Sequence, residues 1–489
     1  MSEQNHGMGR RGFLRSAGVG AVGVASVAGG VLAGGEASAA AKSAAACKTA
    51  GCDHDVIVIG GGFAGVTAAR DCRKNGHKTL LLEARNRLGG RAFTSTFAGH
   101  VVELGGAWIH WSQPNVWAEK ERYGLELKET PEGLDLSAEV AVLAVGGKRV
   151  VLSAEEMASV GEAFYQYFAD ARQMWTRPYD AKFTWPALLE RDGLSARDRI
   201  DQLQLNPLQR AALEGYMSTM GHSDVSQISY NETVRVWALS GFGLEGTNDA
   251  LGHYAFKKGA SSLIEAMVED GKPEVRLSTQ VRKIEDKGDR VVVTTSKGER
   301  LVARAVIVTV PMNVLPGIEF NPPLAPQRIA AGKEKHCGAG AKVYLKTQGK
   351  YEGPGKTFGM GDASQPISLT FTYAKGDDHA VYVAFVPDPA KLDVQDKGAM
   401  QTALRAYLPD VVVQECFAYE WTLDPFSQGT WAGYKPNWYG RYGAQFEQES
   451  GRVFFGQGDH GEGWRGFIDG AIGAGSRAAQ RVKKTLGSA

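Results

Sequence analysis

One short stretch restricts this chain more than any other: Gly60-Gly61-Gly62-Phe63-Ala64-Gly65, taken with what flanks it. Before it stands Asp55-Val-Ile-Val-Ile59, an apolar run of the kind found in a parallel strand buried on both faces. After it, Val66 to Asn75 has helical composition, and Thr79-Leu-Leu-Leu82 predicts a second strand. Strand, glycine turn, helix and strand within about thirty residues make a βαβ unit. Gly60 permits the tight turn, Gly62 lets backbone approach a pyrophosphate, and Gly65 lets the helix pack on the strand. The helix amino end offers phosphates unpaired N–H groups and a favourable dipole. Glu83 ends the second strand, where a carboxylate can accept the ribose hydroxyls of an adenosine.

A chain of 489 residues exceeds what one core usually holds, so two domains are expected. The stretch from Val275 to Val310 alternates in strand fashion and ends in the buried run Ala305-Val-Ile-Val-Thr-Val310. Gly451-Arg-Val-Phe-Phe455 predicts a last strand, with a helix from about Gly470. Residues 150–250 are mostly helical in composition, whereas 340–424 hold alternating strands such as Val381-Tyr-Val-Ala-Phe385. The 55 basic residues balance 54 acidic ones, which leaves no global pull on nucleic acid.

The amino terminus reads as a cleaved export signal. Paired arginines, Arg10-Arg11, precede an apolar Ala/Gly/Val-rich run from Ala17 to Leu32, and Ala37-Ser38-Ala39 supplies small residues for cleavage near Ala39. That run is shorter than the roughly twenty residues needed to span a bilayer. The expected destination is the periplasm, by the twin-arginine route and without stable membrane insertion. Of the five cysteines, Cys47 and Cys52 could close a small loop, but the odd count matches no disulfide framework. No Cys/His cluster has metal-ligand spacing.

Further glycine pairs occur in Arg87-Leu-Gly-Gly-Arg91 and Glu103-Leu-Gly-Gly-Ala-Trp108. With Arg452-Val-Phe-Phe-Gly-Gln-Gly-Asp459 and Gly466-Phe-Ile-Asp-Gly-Ala471, they make the chain resemble the flavin-dependent amine oxidases from Asp53 to the C-terminus. Phe93-Thr-Ser, Gly105-Gly-Ala-Trp-Ile-His110, Asp424-Pro-Phe-Ser427 and Ile468-Asp-Gly-Ala471 extend the likeness to the family's bacterial nicotine- and pseudooxynicotine-oxidising members. The resemblance implies an α/β fold in which a Rossmann-like FAD-binding domain (53–130, 255–335 and 424–489) interleaves with an α+β substrate-binding domain (131–254 and 336–423), after a signal at 1–40.

It also implies cofactor contacts at Gly60, Gly62, Phe63, Ala64, Gly65, Glu83, Ala84, Arg85, Gly90, Arg91, Gly105, Gly106, Ala107, Trp108, Val281, Gly458, Asp459, Phe467 and Ile468, with Arg91 available to phosphate. Lys342 falls where the family holds a water against flavin N5. Trp431 and Phe467 fall where two rings face each other across the substrate amine. Thr430 occupies the position at which some members tether flavin through cysteine. Threonine forms no thioether, so FAD is expected to be held noncovalently. Asp459 replaces a glutamate and is one methylene shorter, which puts its flavin contact in doubt.

The expected reaction is oxidation of an amine C–N bond to an imine, which hydrolyses to a carbonyl compound and an amine. Trp108, Tyr216, Leu369, Trp431 and Phe467 are the substrate candidates, with Met217, Trp237, Phe242 and Trp464 as further apolar possibilities. They favour an apolar amine without a carboxylate, and the resemblance implies a secondary amine of the nicotine or pseudooxynicotine type; other monoamines, polyamines and L-amino acids remain alternatives. Electrons pass on to oxygen or to a periplasmic redox protein, and a homodimer is left open. A carotenoid-desaturase-like enzyme, disfavoured by the export signal and the aromatic pair, and a non-catalytic binding protein, which would require neither Lys342 nor that pair, are the rival readings.

Overall fold

The computed structural model describes residues 51–130, 140–349, 357–446 and 449–487. The export signal and Cys47 lie outside the described residues. The glycine fingerprint sits in the expected unit: β1 (His54–Ile59), α1 (Phe63–Lys74) and β2 (Thr79–Leu82). β1 pairs in parallel with β2 on one side and with β3 (Arg300–Val308) on the other. β2 pairs with Glu274–Arg276 beyond. The amino half of β3 pairs with Val291–Thr295, and its carboxyl half, Val306–Val308, pairs with Val453–Phe455. Segments more than two hundred residues apart thus close one eight-stranded sheet.

Burial on both faces explains the unbroken apolar strands. Val56 and Val58 pack against Val66 and Ala69 of α1 and Ile472 and Ala479 of a helix spanning Ile468–Leu486. Ile57 and Ile59 point the other way, into a cluster with Val293, Leu301 and Phe455. A strand with a core on each side has no position for a polar residue.

A second, seven-stranded sheet is built from Val140–Val145, Lys148–Val151, Ala341–Gln348, Thr357–Gly361, Leu369–Lys375, His379–Val386 and Val413–Ala418. The strand Ala341–Gln348, β4, lies between His379–Val386 and Val413–Ala418. One face of this sheet (Tyr344, Leu369, Phe371, Phe385) packs on helices between Ala154 and Gly252, among them α2 (Pro207–Gly221). The other (Val343, Leu345, Tyr382) packs on the helix Lys397–Leu404. Lys342 shares the parity of Tyr344, which points it at the helical side, opposite Phe385 in register. Among the described residues, no helix is long and apolar enough to cross a membrane. No three His, Cys, Asp or Glu side chains among them are grouped to hold a metal.

Candidate active site

The glycine turn after β1 and the inward face of β4 line one cavity of about 520 Å³. That volume is within the range of small-molecule and cofactor sites. At the fingerprint, Gly60 has φ +104°, and a Cβ on Gly65 would stand 1.7 Å from the Gly60 carbonyl oxygen, so only glycine closes this turn. Gly62 has a different task. A Cβ there would meet nothing of the protein nearer than the Gly90 Cα at 3.7 Å, so its bareness leaves room facing the cavity rather than serving the packing. No side chain caps α1, and its first residues Phe63 and Ala64 line the cavity. Glu83 accepts N–H bonds from Gly61 at 2.6 Å and Arg85 at 2.8 Å. A carboxylate has about four lone-pair positions, so acceptor capacity remains on both oxygens.

The two arginines expected along the cofactor line the cavity but are committed elsewhere. Arg85 donates to Asp424 at 2.6 Å and Ser427 at 2.8 Å. Arg91 donates to the Thr430 carbonyl at 2.6 Å and is ion-paired with Asp459. Asp459 lies behind Arg91, not on the cavity wall, and also accepts the Met312 N–H at 2.7 Å. Burial alone would raise the Asp459 carboxyl; Arg91 outweighs it and holds the group down at about 2. The shorter aspartate therefore reaches a protein partner, and Arg91, with N–H donors to spare, lines the cavity already ion-paired. The bare amino end of α1 offers phosphate charge a further partner.

At the other part of the cavity, Lys342 donates to the Gly105 carbonyl at 2.6 Å, with the Trp108 ring 5.0 Å from its ammonium. Burial pushes its pKa from 10.5 down to about 7, against the opposing pull of Glu103. A fully buried lysine near its ionisation point can gain or lose a proton at neutral pH. Trp431 and Phe467 both line the cavity and are half-buried. The Trp431 indole donates to the Met220 carbonyl at 2.9 Å, and Phe467 meets Trp464 edge-on at 5.0 Å.

Every other predicted contact residue lines this cavity: Ala84, Gly90, Gly105, Gly106, Ala107, Trp108, Tyr216, Val281, Leu369, Gly458 and Ile468. Gly65 does not, because its role is packing. The further apolar candidates Met217, Trp237, Phe242 and Trp464 lie off the cavity wall. Helical phase explains the first: Tyr216, Thr219 and Met220 share one face of α2 and line the cavity, while Met217 faces the core. The sequence reading missed His222, Met220, Leu251 and Phe385, all in the wall. Phe385 was traceable as a strand residue, but nothing local marks a lone histidine after a helix.

These residues fit a long dinucleotide cofactor ending at an aromatic compartment. The pattern of the family described as flavin containing amine oxidoreductase matches residues 63–483. The chain is 40% identical over 439 residues to pseudooxynicotine dehydrogenase of a Pseudomonas species, covering 89% of this chain and 87% of that one. It is 36% identical to nicotine dehydrogenase of Pseudomonas putida, covering 89% of each. In fold it is similar to wild-type putrescine oxidase bound to putrescine, with TM-score 0.75 at 23% identity, over 88% of this chain and 99% of that one.

Proposed function

The chain belongs to the flavin containing amine oxidoreductases, and from that premise we propose that it oxidises an apolar secondary amine of the nicotine or pseudooxynicotine kind. It is an FAD-dependent oxidoreductase acting on CH–NH or CH–NH2 donors. FAD, when bound, supplies the acceptor for the hydride equivalent released from the carbon alpha to nitrogen. The protein binds, orients and keeps water out.

The observation that carries the substrate reading is the wall around Lys342. Trp108, Tyr216, Met220, Leu369, Phe385, Trp431 and Phe467 gather there with no arginine. The arginines in the cavity wall, Arg85, Arg91 and Arg282, belong to the adenosine side or are tied to other groups. A carboxylate-bearing substrate would find no arginine there, only a lysine already bonded to the Gly105 carbonyl and near its ionisation point, and would lose its hydration. An amine among aromatic faces is instead pushed toward its neutral form, which alone can release electrons into a forming imine. Trp431 and Phe467 orient that nitrogen, and Lys342 holds a proton or a water at the same compartment. The imine then hydrolyses to a carbonyl compound and an amine.

Anaerobic mixing of the FAD-loaded protein with a panel of amines tests this. Nicotine or pseudooxynicotine should bleach the flavin; bleaching by L-amino acids or putrescine in preference would overturn the substrate class. FAD is held noncovalently, because Thr430 offers no thiol. Acid precipitation should therefore release the yellow colour into the supernatant, and colour in the pellet would refute it. Reoxidation uses oxygen or a periplasmic redox protein, which air-mixing rates tell apart. Export by the twin-arginine route rests on Arg10-Arg11. Changing both to lysine should trap active, uncleaved enzyme in the cytoplasm, and normal periplasmic appearance would count against it.

A further inference from the structure

Trp431 is backed by a second flat ring. The His222 imidazole lies parallel to the indole, with ring centroids 4.2 Å apart and planes inclined by 4°. Phe385 meets both edge-on, at 5.9 Å and 6.4 Å. His222 closes α2 with φ 52°, a left-handed conformation that a residue with a Cβ adopts only when its surroundings impose it.

The surroundings do impose it. The His222 carbonyl accepts the N–H of Ala339 at 3.0 Å and of Gly340 at 2.9 Å, and the Gly338 carbonyl accepts the Thr430 N–H at 3.0 Å. His222 Nδ1 pairs with the Thr430 hydroxyl at 3.2 Å. Both glycines are there for clearance. A Cβ on Gly340 would come within 2.5 Å of His222 Cδ2, and one on Gly338 within 2.1 Å of the Trp431 carbonyl oxygen. Residues 338–340, separated from Lys342 by Ala341 alone, thus clamp His222 on one side and Thr430–Trp431 on the other.

We propose that His222 is a positioning residue for amine oxidation, its ring serving as the plate that holds the Trp431 indole at one tilt. The proposal rests on the reading that Trp431 borders the amine. The indole is anchored at one edge, through its N–H to the Met220 carbonyl. A ring held at one edge can still rock about that bond, and a parallel ring across its face removes the motion. Small errors of orientation are costly in a near-attack arrangement. Burial pushes the imidazole down to about 3, with Lys342 adding repulsion, so the plate stays uncharged at neutral pH.

The test compares FAD-loaded His222→Ala, His222→Leu and His222→Phe with the parent, using pseudooxynicotine as the probe amine. In anaerobic stopped-flow, the limiting reduction rate should fall about tenfold in His222→Ala, while amine Kd shifts by about twofold or less. His222→Phe keeps a flat face and should recover to within about twofold of the parent; His222→Leu keeps volume but no face and should stay slow. His222→Ala combined with Trp431→Ala should be no slower than Trp431→Ala alone.

Crystals of the same variants should show the indole tilted in His222→Ala and restored in His222→Phe, a readout that needs no substrate. An unmoved indole overturns the proposal, as do equal rates for Leu and Phe. So does a neutral-pH limb of the reduction rate that vanishes in His222→Phe, because it would make His222 a base. Parent-like reduction by Trp431→Ala itself would instead sink the reading that Trp431 borders the amine. If His222→Ala fails to fold, the Leu–Phe contrast decides.

Discussion

The adenosine-facing and amine-facing parts of the cavity are built on opposite principles. The first is backbone: bare glycines, an uncapped helix end and one carboxylate, most of it within residues 60–91. The second is side chains, Trp108, Tyr216, His222, Lys342, Leu369, Phe385, Trp431 and Phe467, drawn from across the whole chain. Backbone recognition needs small residues at fixed spacing along one turn, so it is written locally. A pocket shaped by side chains needs only that they meet, so its parts can be scattered. The glycine part should therefore fail abruptly when its geometry is touched, and the aromatic part should fail by degrees.

Gly65→Ala gives the largest expected effect. Its Cβ would meet the Gly60 carbonyl at 1.7 Å, backbone against backbone, with no side chain able to yield. We expect flavin content and soluble yield to fall at least about tenfold. Near-normal flavin retention would show that the turn can relax.

Gly62→Ala sharpens the contrast, because its Cβ clears the protein by 3.7 Å or more. The FAD-free protein should fold with an unchanged melting temperature while FAD affinity falls about tenfold. Equal loss of stability and affinity would reduce Gly62 to a packing glycine.

Next come the rings. Trp431→Ala and Phe467→Ala should each slow anaerobic flavin reduction about tenfold, since an aromatic contact is worth roughly 0.5–1.5 kcal/mol and misorientation adds to it. Trp431→Phe and Phe467→Tyr should cost far less. Folded alanine variants that reduce flavin at the parent rate would make the rings mere core.

Lys342→Met should keep FAD and change reduction or reoxidation by about several-fold, the smallest of these effects. It also carries a pH signature. The lysine loses its proton near pH 7 in the folded state but near 10.5 when unfolded. The unfolded chain then binds more protons across that window, so through this group stability rises with pH from about 7 to 10.5. The methionine variant should lack that rise in urea titrations at pH 7 and pH 9. An unchanged slope would mean that Lys342 keeps its ordinary pKa.

The sequence by itself determined the βαβ unit, the glycine turn within it and Glu83 at the end of β2, because these depend on local spacing and on which residues lack a Cβ. It also pointed to Lys342, Trp431 and Phe467, through motifs matched at their own positions. Only the tertiary structure decided what each charge and ring faces. Arg91 could be expected on the cavity wall, but that Asp459 pairs with it from 368 residues away is decided by the fold. Met217 and Met220 look equivalent in sequence, and the rotation of α2 sends one to the core and the other to the cavity. His222 joins Trp431 across 209 residues only because Gly338 and Gly340 leave room for both. Local spacing can specify a turn, but pairing of distant side chains is set by how the sheets and helices pack.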